Sequence, residues 1–217
     1  MSDTVAQDEV PEGVIEILHT PLETKWNWYA HVDGTDYFKS MLLLGSFNSL
    51  FSFFCYKNNI PAPHAIMDGM HGCWIKVDEE DKAQMVSAYS IFKDGITPEW
   101  EHERNIDGGS LMCRQLFSSS KLEYAWDHIC MWVLQESPSI VNGIRIVQKY
   151  DRRSGIFHKL EVWLNSTEPT VVAAVVSELC AIDEDLAPHF MPHKFEKTER
   201  TYATKSNAFR RRQPRPI

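Results

Sequence analysis

The chain lacks any apolar run close to the roughly 20 residues that a membrane-spanning helix needs, so no bilayer span is expected in its 217 residues. Its acidic start, Ser2 to Glu16, has neither the positive flank nor the apolar core of a secretory signal. Cysteine is sparse. The five residues, Cys55, Cys73, Cys113, Cys130 and Cys180, are odd in number and widely spaced, with no C-x-x-C pair. A disulfide framework and a zinc-finger pattern are excluded on that basis, and a reduced, cytoplasmic setting is expected. There is no G-x-G-x-x-G turn, Walker loop or G-x-S-x-G elbow. The nine histidines are scattered, and His71 and Cys73 have no second ligand pair at metal spacing. No metal, cofactor or catalytic constellation is therefore expected. Positive charge is also short, with 22 Lys and Arg against 30 Asp and Glu for a net charge of −8. Broad coating of nucleic acid requires many neutralised phosphates, so any such contact here has to be local.

What remains is an ordinary apolar fraction, 43%, in a length that suits one domain, and a surplus of tryptophan. Residues 1–18 read as a mobile acidic arm, with the domain starting at His19 and running to 208, and residues 209–217 as a basic tail. Trp26, Trp28 and Leu42 to Leu44 lie in strand-like runs separated by Asp33-Gly34, which predicts a hairpin. Ser46 or Asn48 can cap a helix carrying Leu50, Phe53 and Phe54 that stops before Pro61. A long loop is expected over 61–84, anchored by Trp74. Residues 87–115 read as strand, loop and strand. Leu122, Ala125, Trp126, Ile129, Cys130, Val133 and Leu134 then fill a helical stripe without a miss. Alternation around Ile144 and Ile146, and again from Lys159 to Leu164, predicts a second hairpin, followed by a helix over Glu168 to Cys180. This order gives an α+β fold, an antiparallel sheet with helices on one face.

Two features stand out as chemistry. Trp163 shares a strand face with Lys159 and Glu161 while Leu160, Val162 and Leu164 take the other, and Lys149, Arg152 and Arg153 lie across the hairpin. An aromatic beside cations suits a nucleotide, ring on ring and Lys or Arg on phosphate; a half-buried Trp among solvated charges fits the same spacing. Trp100 and Glu101 adjoin in a polar loop. A carboxylate accepts two parallel N–H groups, such as those on the Watson–Crick edge of guanine; a loop Trp packed on the core beside a solvated acid fits equally.

The run Tyr89-Ser90-Ile91-Phe92-Lys93-Asp94-Gly95-Ile96-Thr97-Pro98-Glu99-Trp100-Glu101, continuing through Glu103 and Asn105 to Gly108-Gly109, resembles the eukaryotic initiation factor 4E family, the cytoplasmic receptors of the mRNA cap. Supporting matches are Pro21-Leu22 with Trp26, the helix from Phe47 to Ile60, Trp126, Gly143, Lys159 with Trp163, and Ala203-Thr204-Lys205-Ser206. The resemblance covers residues 19 to 208. It implies a curved antiparallel sheet backed by three helices, with a slot on the concave side where the 7-methylguanosine cap lies between two rings. Trp100 matches one ring, Glu101 the base-reading carboxylate, and Trp163 the residue against the N7-methyl group. Tyr37 stands where a second Trp is usual, with Phe38 as the alternative.

Lys149 and Lys159 match the family's phosphate-binding positions, Arg152 and Arg153 lie in a link about five residues longer than usual, and Lys205 matches a C-terminal lysine that reaches further phosphates. Asp151 replaces a common cation. On the helical face, Pro21, Leu50, Phe54, His128 and Met131 match the surface that receives initiation factor 4G or a 4E-binding protein as an amphipathic helix. Phe54 replaces a Trp there, and Asp127 an apolar residue. The implied activity is cap binding by a monomer that recruits mRNA to the initiation machinery. The other reading is a repressor or adaptor with weakened cap binding.

Overall fold

The computed structural model describes residues 12–32, 40–66, 74–76, 83–115, 117–136, 139–151 and 155–194. The expected first hairpin is present as β1 (Pro21–Val32) and β2 (Met41–Ser49). Helix α2 (Leu50–Asn59) follows directly. Its cap is Ser49 rather than Ser46 or Asn48, because β2 stays extended up to Ser49; only there can a hydroxyl accept from Ser52 N, at 3.2 Å. The remaining strands are β3 (Trp74–Lys76), β4 (Ala83–Lys93), β5 (Gly109–Gln115), β6 (Val141–Asp151), β7 (Gly155–Leu164) and β8 (His189–Pro192). They form one sheet of order β2-β1-β4-β6-β7-β5-β8 with β3 beside β4, every pairing antiparallel.

Three longer helices back the sheet: α2, α4 (Ser119–Glu136) and α5 (Pro169–Ile182). Period-2 alternation sends Ile91, Ile144, Ile146, Leu160 and Val162 to one face, where they join Trp28 of β1. Phe53, Leu122, Trp126, Ile129, Val133, Val175 and Leu179 come down on them from the helices, all buried in one cluster. The unbroken stripe of α4 is buried at every position read from its spacing.

Two expectations change. The arm over 1–18 is not featureless, since α1 (Glu12–His19) forms a helix beside α2 with the His19 ring stacked on Phe51 at 4.3 Å. Val14, Ile15 and Ile17 stay exposed while Leu18 packs on the main core, and eight residues give an apolar pattern little room to show against the acidic stretch before it. The stretch 61–84 is not a continuous loop either. It carries the short helix α3 (Pro63–Ile66), strand β3 and the start of β4. Three- and four-residue elements are too short for periodicity to reveal.

The opposite face of the sheet holds a second, smaller cluster of Tyr29, Phe92, Ile96 and Trp163. Gly143 makes it possible, because a Cβ there would lie 2.4 Å from the Phe92 ring. Without one, Phe92 lies across the β6 backbone and meets Trp163 edge-on at 5.3 Å. His31 is buried on the same face, with Nε2 2.7 Å from Ser90 Oγ.

Candidate functional site

The loop between β4 and β5 carries Trp100 and Glu101, and it is anchored at both ends and in the middle. At its start Asn27 Nδ2 donates to Asp94 Oδ1 at 2.9 Å, and Gly95 takes a positive φ of 78° that turns the chain. Ile96 is buried in the second cluster. Asn105, fully buried, donates to the carbonyls of Thr97 and Glu99 at 2.9 and 2.8 Å, and its Oδ1 accepts from Asn142 at 2.9 Å. A loop held this way keeps an exposed tryptophan in place at little entropic cost on binding. Trp100 is 48% exposed and Glu101 is exposed with it.

Trp163 is 1% exposed and belongs to the small core on the concave face. The half-solvated position suggested by its polar strand neighbours does not hold. Alternation identifies the face of a strand, whereas it cannot tell that the Asp94–Gly108 loop and His193 cover that face. Of the four cations, the two among the described residues, Lys149 and Lys159, do not adjoin the Trp163 ring. Lys149 is in register with Phe157, six residues along β7 from Trp163. Lys159 reaches Trp163 only through Glu161: its Nζ lies 2.6 Å from Oε1, while Trp163 Nε1 donates to Oε2 at 3.0 Å. Glu161, 5% exposed, is therefore a buried carboxylate satisfied from both sides. Tyr37, Phe38, Arg152, Arg153 and Lys205 lie outside the described residues.

His193 is the site residue that sequence reasoning missed. It follows β8 directly, its backbone N–H donates to Gly108 O at 3.0 Å, and Nδ1 donates to Asn105 O at 2.7 Å. Its ring lies nearly parallel to Trp100, 16° between planes at 6.3 Å, and 4.6 Å from Trp163. Burial pushes its pKa below the ordinary histidine value, against the hydrogen bond to Asn105 and the nearby Glu161 carboxylate. A neutral ring whose Nδ1 donates leaves Nε2 as an acceptor, and that atom has no partner among the described residues. Nothing in a lone His after a four-residue strand signals this role. The concave side thus presents an exposed indole, a carboxylate beside it, and a floor of Trp163 and His193, a surface suited to a flat polar ring.

On the helical face, Leu50 is 6% exposed and part of the main core, so its side chain is not displayed. Phe54 and Met131 are half-buried, and Phe54 meets Phe53 edge-on at 5.3 Å. Pro21 and His128 are exposed. His128 packs on Tyr124 at 3.8 Å and donates from Nδ1 to its carbonyl at 2.8 Å. Asp127 is accommodated through an ion pair with Lys57 of α2 at 2.8 Å.

Comparison with known proteins points to one family. The family model described as eukaryotic initiation factor 4E matches residues 21–211. The chain is 25% identical over 193 residues to eukaryotic translation initiation factor 4E of Dictyostelium discoideum, covering 85% of this chain and 67% of that protein. It is likewise 25% identical over 184 residues to the Saccharomyces cerevisiae protein of the same name, covering 80% of this chain and 76% of that one. Among solved structures it is similar to Ascaris suum eIF4E-3 in complex with an m2,2,7G cap, with TM-score 0.60 and 21% identity over 82% of this chain and 93% of that one. It is also similar to Caenorhabditis elegans eIF4E-3 bound to the 4E-binding protein Mextli, with TM-score 0.60 and 19% identity over 80% and 93% of the two chains. The curved antiparallel sheet with its helical backing is the fold of these neighbours, and the chain belongs to the eukaryotic initiation factor 4E family.

Proposed function

We propose that this protein binds the 7-methylguanosine cap of mRNA in the cytoplasm and recruits it to the translation initiation machinery through a 4G-like scaffold or a 4E-binding protein docked on its helical face. The observation that carries this reading is the pairing of exposed Trp100 with Glu101 in an Asn105-braced loop over Trp163. Methylation at N7 leaves guanine cationic. Stacking on Trp then gains about 0.5 to 2 kcal/mol of cation–π attraction beyond ordinary stacking of roughly 1 to 3 kcal/mol per base. Glu101 accepts the two N–H groups of the guanine edge, Tyr37 supplies the second ring, and Trp163, 1% exposed beneath His193, meets the methyl group only where that cover gives way on binding. The phosphates fall to Lys159 and Lys149 with Arg152, Arg153 and Lys205. Residues 19–208 form the binding domain, between the arm and the basic tail. The function is recognition, and no bond is made or broken.

Retention on immobilised 7-methyl-GTP tests the two faces together. The protein is expected to be retained, to elute with free 7-methyl-GTP and not with GTP, and to bind an amphipathic 4E-binding peptide while on the resin. Phe54→Ala is expected to be retained equally but to bind the peptide about 5- to 30-fold more weakly, the loss typical of an interface anchor. Unchanged peptide affinity would move the partner site elsewhere.

One observation favours the repressor or adaptor reading: Lys159, assigned to the phosphates, is already held by Glu161 at 2.6 Å. Under that reading the protein is washed from the cap resin while peptide binding persists.

A further inference from the structure

We propose that the concave sheet carries a second nucleotide subsite beyond the cap slot, in which Phe157, flanked by Arg114 and Lys149, takes the base and phosphate of the nucleotide that follows the cap. The proposal rests on the cap-binding reading above and extends it along the sheet.

Residues directly opposite in antiparallel strands point to the same face, and the registers Ser110 with Trp163, Met112 with Glu161 and Arg114 with Lys159 put Arg114 on the concave side. Lys149 is opposite Phe157 on the other edge of β7. Phe157 is half-buried, and the exposed Arg114 lies with its guanidinium 4.0 Å from the centre of the ring. Three neighbouring strands thus line up cation, aromatic, cation. Among the described residues Arg114 makes no ion pair with a carboxylate, unlike Lys159. A guanidinium over an aromatic ring makes, with that ring, a stacking platform for a base, and it keeps N–H groups for a phosphate.

Spacing fits the order of groups in capped RNA. At about 3.3 Å per residue, Lys159 lies roughly 13 Å and Phe157 roughly 20 Å along β7 from Trp163. The methylated base at Trp163, the triphosphate past Lys159 and the next nucleoside at Phe157 follow in that sequence.

The test compares 7-methyl-GTP with a short capped oligonucleotide carrying several nucleotides after the triphosphate. Wild type is expected to bind the oligonucleotide about 10-fold more tightly than 7-methyl-GTP. Arg114→Ala is expected to lose about 10-fold for the oligonucleotide, with a salt slope reduced by about one, while its 7-methyl-GTP affinity stays within about 2-fold. Arg114→Lys is expected to keep the salt slope and lose part of the affinity. Equal wild-type affinity for both ligands, or an equal loss for both in Arg114→Ala, would overturn the subsite and leave the cap slot standing. Failure of wild type to bind 7-methyl-GTP would take down the cap reading and the subsite with it.

Discussion

Glu101→Ala is expected to lower affinity for 7-methyl-GTP by about 100-fold or more while leaving the melting temperature unchanged. The carboxylate accepts both N–H groups of the guanine edge in the proposed complex, and hydrogen bonds to a charged group contribute about 1.5 to 3 kcal/mol each. Two of them correspond to at least about 100-fold. Their loss is not repaired by water, because the base edge is enclosed once the ring is stacked. Stability is spared because Glu101 is exposed and has no hydrogen bond or ion pair among the described residues. Glu101→Gln separates charge from shape: its amide presents one donor to a donor, so most of the affinity is expected to go as well. Titration by tryptophan fluorescence, with thermal unfolding alongside, measures both quantities. An Ala variant that binds as wild type would assign the base edge to another residue.

The second large effect concerns acid. His31 is 3% exposed, and its pKa is pushed down to about 3, mainly by burial and further by the positive charge of Arg145. In the unfolded chain it titrates near 6.5. The unfolded state therefore binds the proton first as pH falls, and the stability carried by neutral His31 is complete above about 6.5 and lost progressively toward about 3. The slope from this residue is at most about 1.4 kcal/mol per pH unit, and the whole loss is on the order of 5 kcal/mol. That is comparable to the total stability of many domains. His31→Gln retains a polar atom near the position that meets Ser90 Oγ and does not titrate. Its unfolding free energy is expected to fall distinctly less between pH 6.5 and 4 than that of wild type, by urea denaturation. Parallel profiles would show that His31 is not the acid-sensitive group.

The readability of the chain followed burial. Where one side of an element faces water the period survives, and so the buried stripe of α4 was legible residue by residue, whereas β1, β6 and β7, buried on both faces over most of their length, were legible as strands but not in what covers each face. Where both sides are covered, it fails. Trp163 sits on the polar face of β7, yet the Asp94–Gly108 loop, Phe92 and His193 enclose it. Only the pairing of Phe92 with Gly143 across two strands explains why there is room. Short elements such as α3 and β3, four and three residues long, contain barely more than one period, too little for a pattern to repeat. The loop residues Trp100 and Glu101 were visible as an unusual pair, and their meaning came from the longer run through Gly109. What holds that run, Asn105 bridging Thr97, Glu99 and Asn142, joins residues up to 37 apart in sequence and is a property of the fold.

Glu161 alters the picture of the phosphate arm. Its carboxylate sits between the indole N–H of Trp163 and the ammonium of Lys159, so a bound phosphate has to compete with a buried acid for that lysine. The arrangement fixes the Trp163 ring and places negative charge beside the proposed site of the cationic base. Selectivity for the methylated base can thus stay high while the triphosphate contributes less than an unpaired lysine would allow.

The most direct measurement is the quenching of intrinsic tryptophan fluorescence by 7-methyl-GTP and by GTP under one buffer. A cation–π difference of up to about 2 kcal/mol predicts saturable quenching by 7-methyl-GTP about 10-fold or more tighter than by GTP. Equal quenching by the two nucleotides, or none by either, would contradict the cap-binding account.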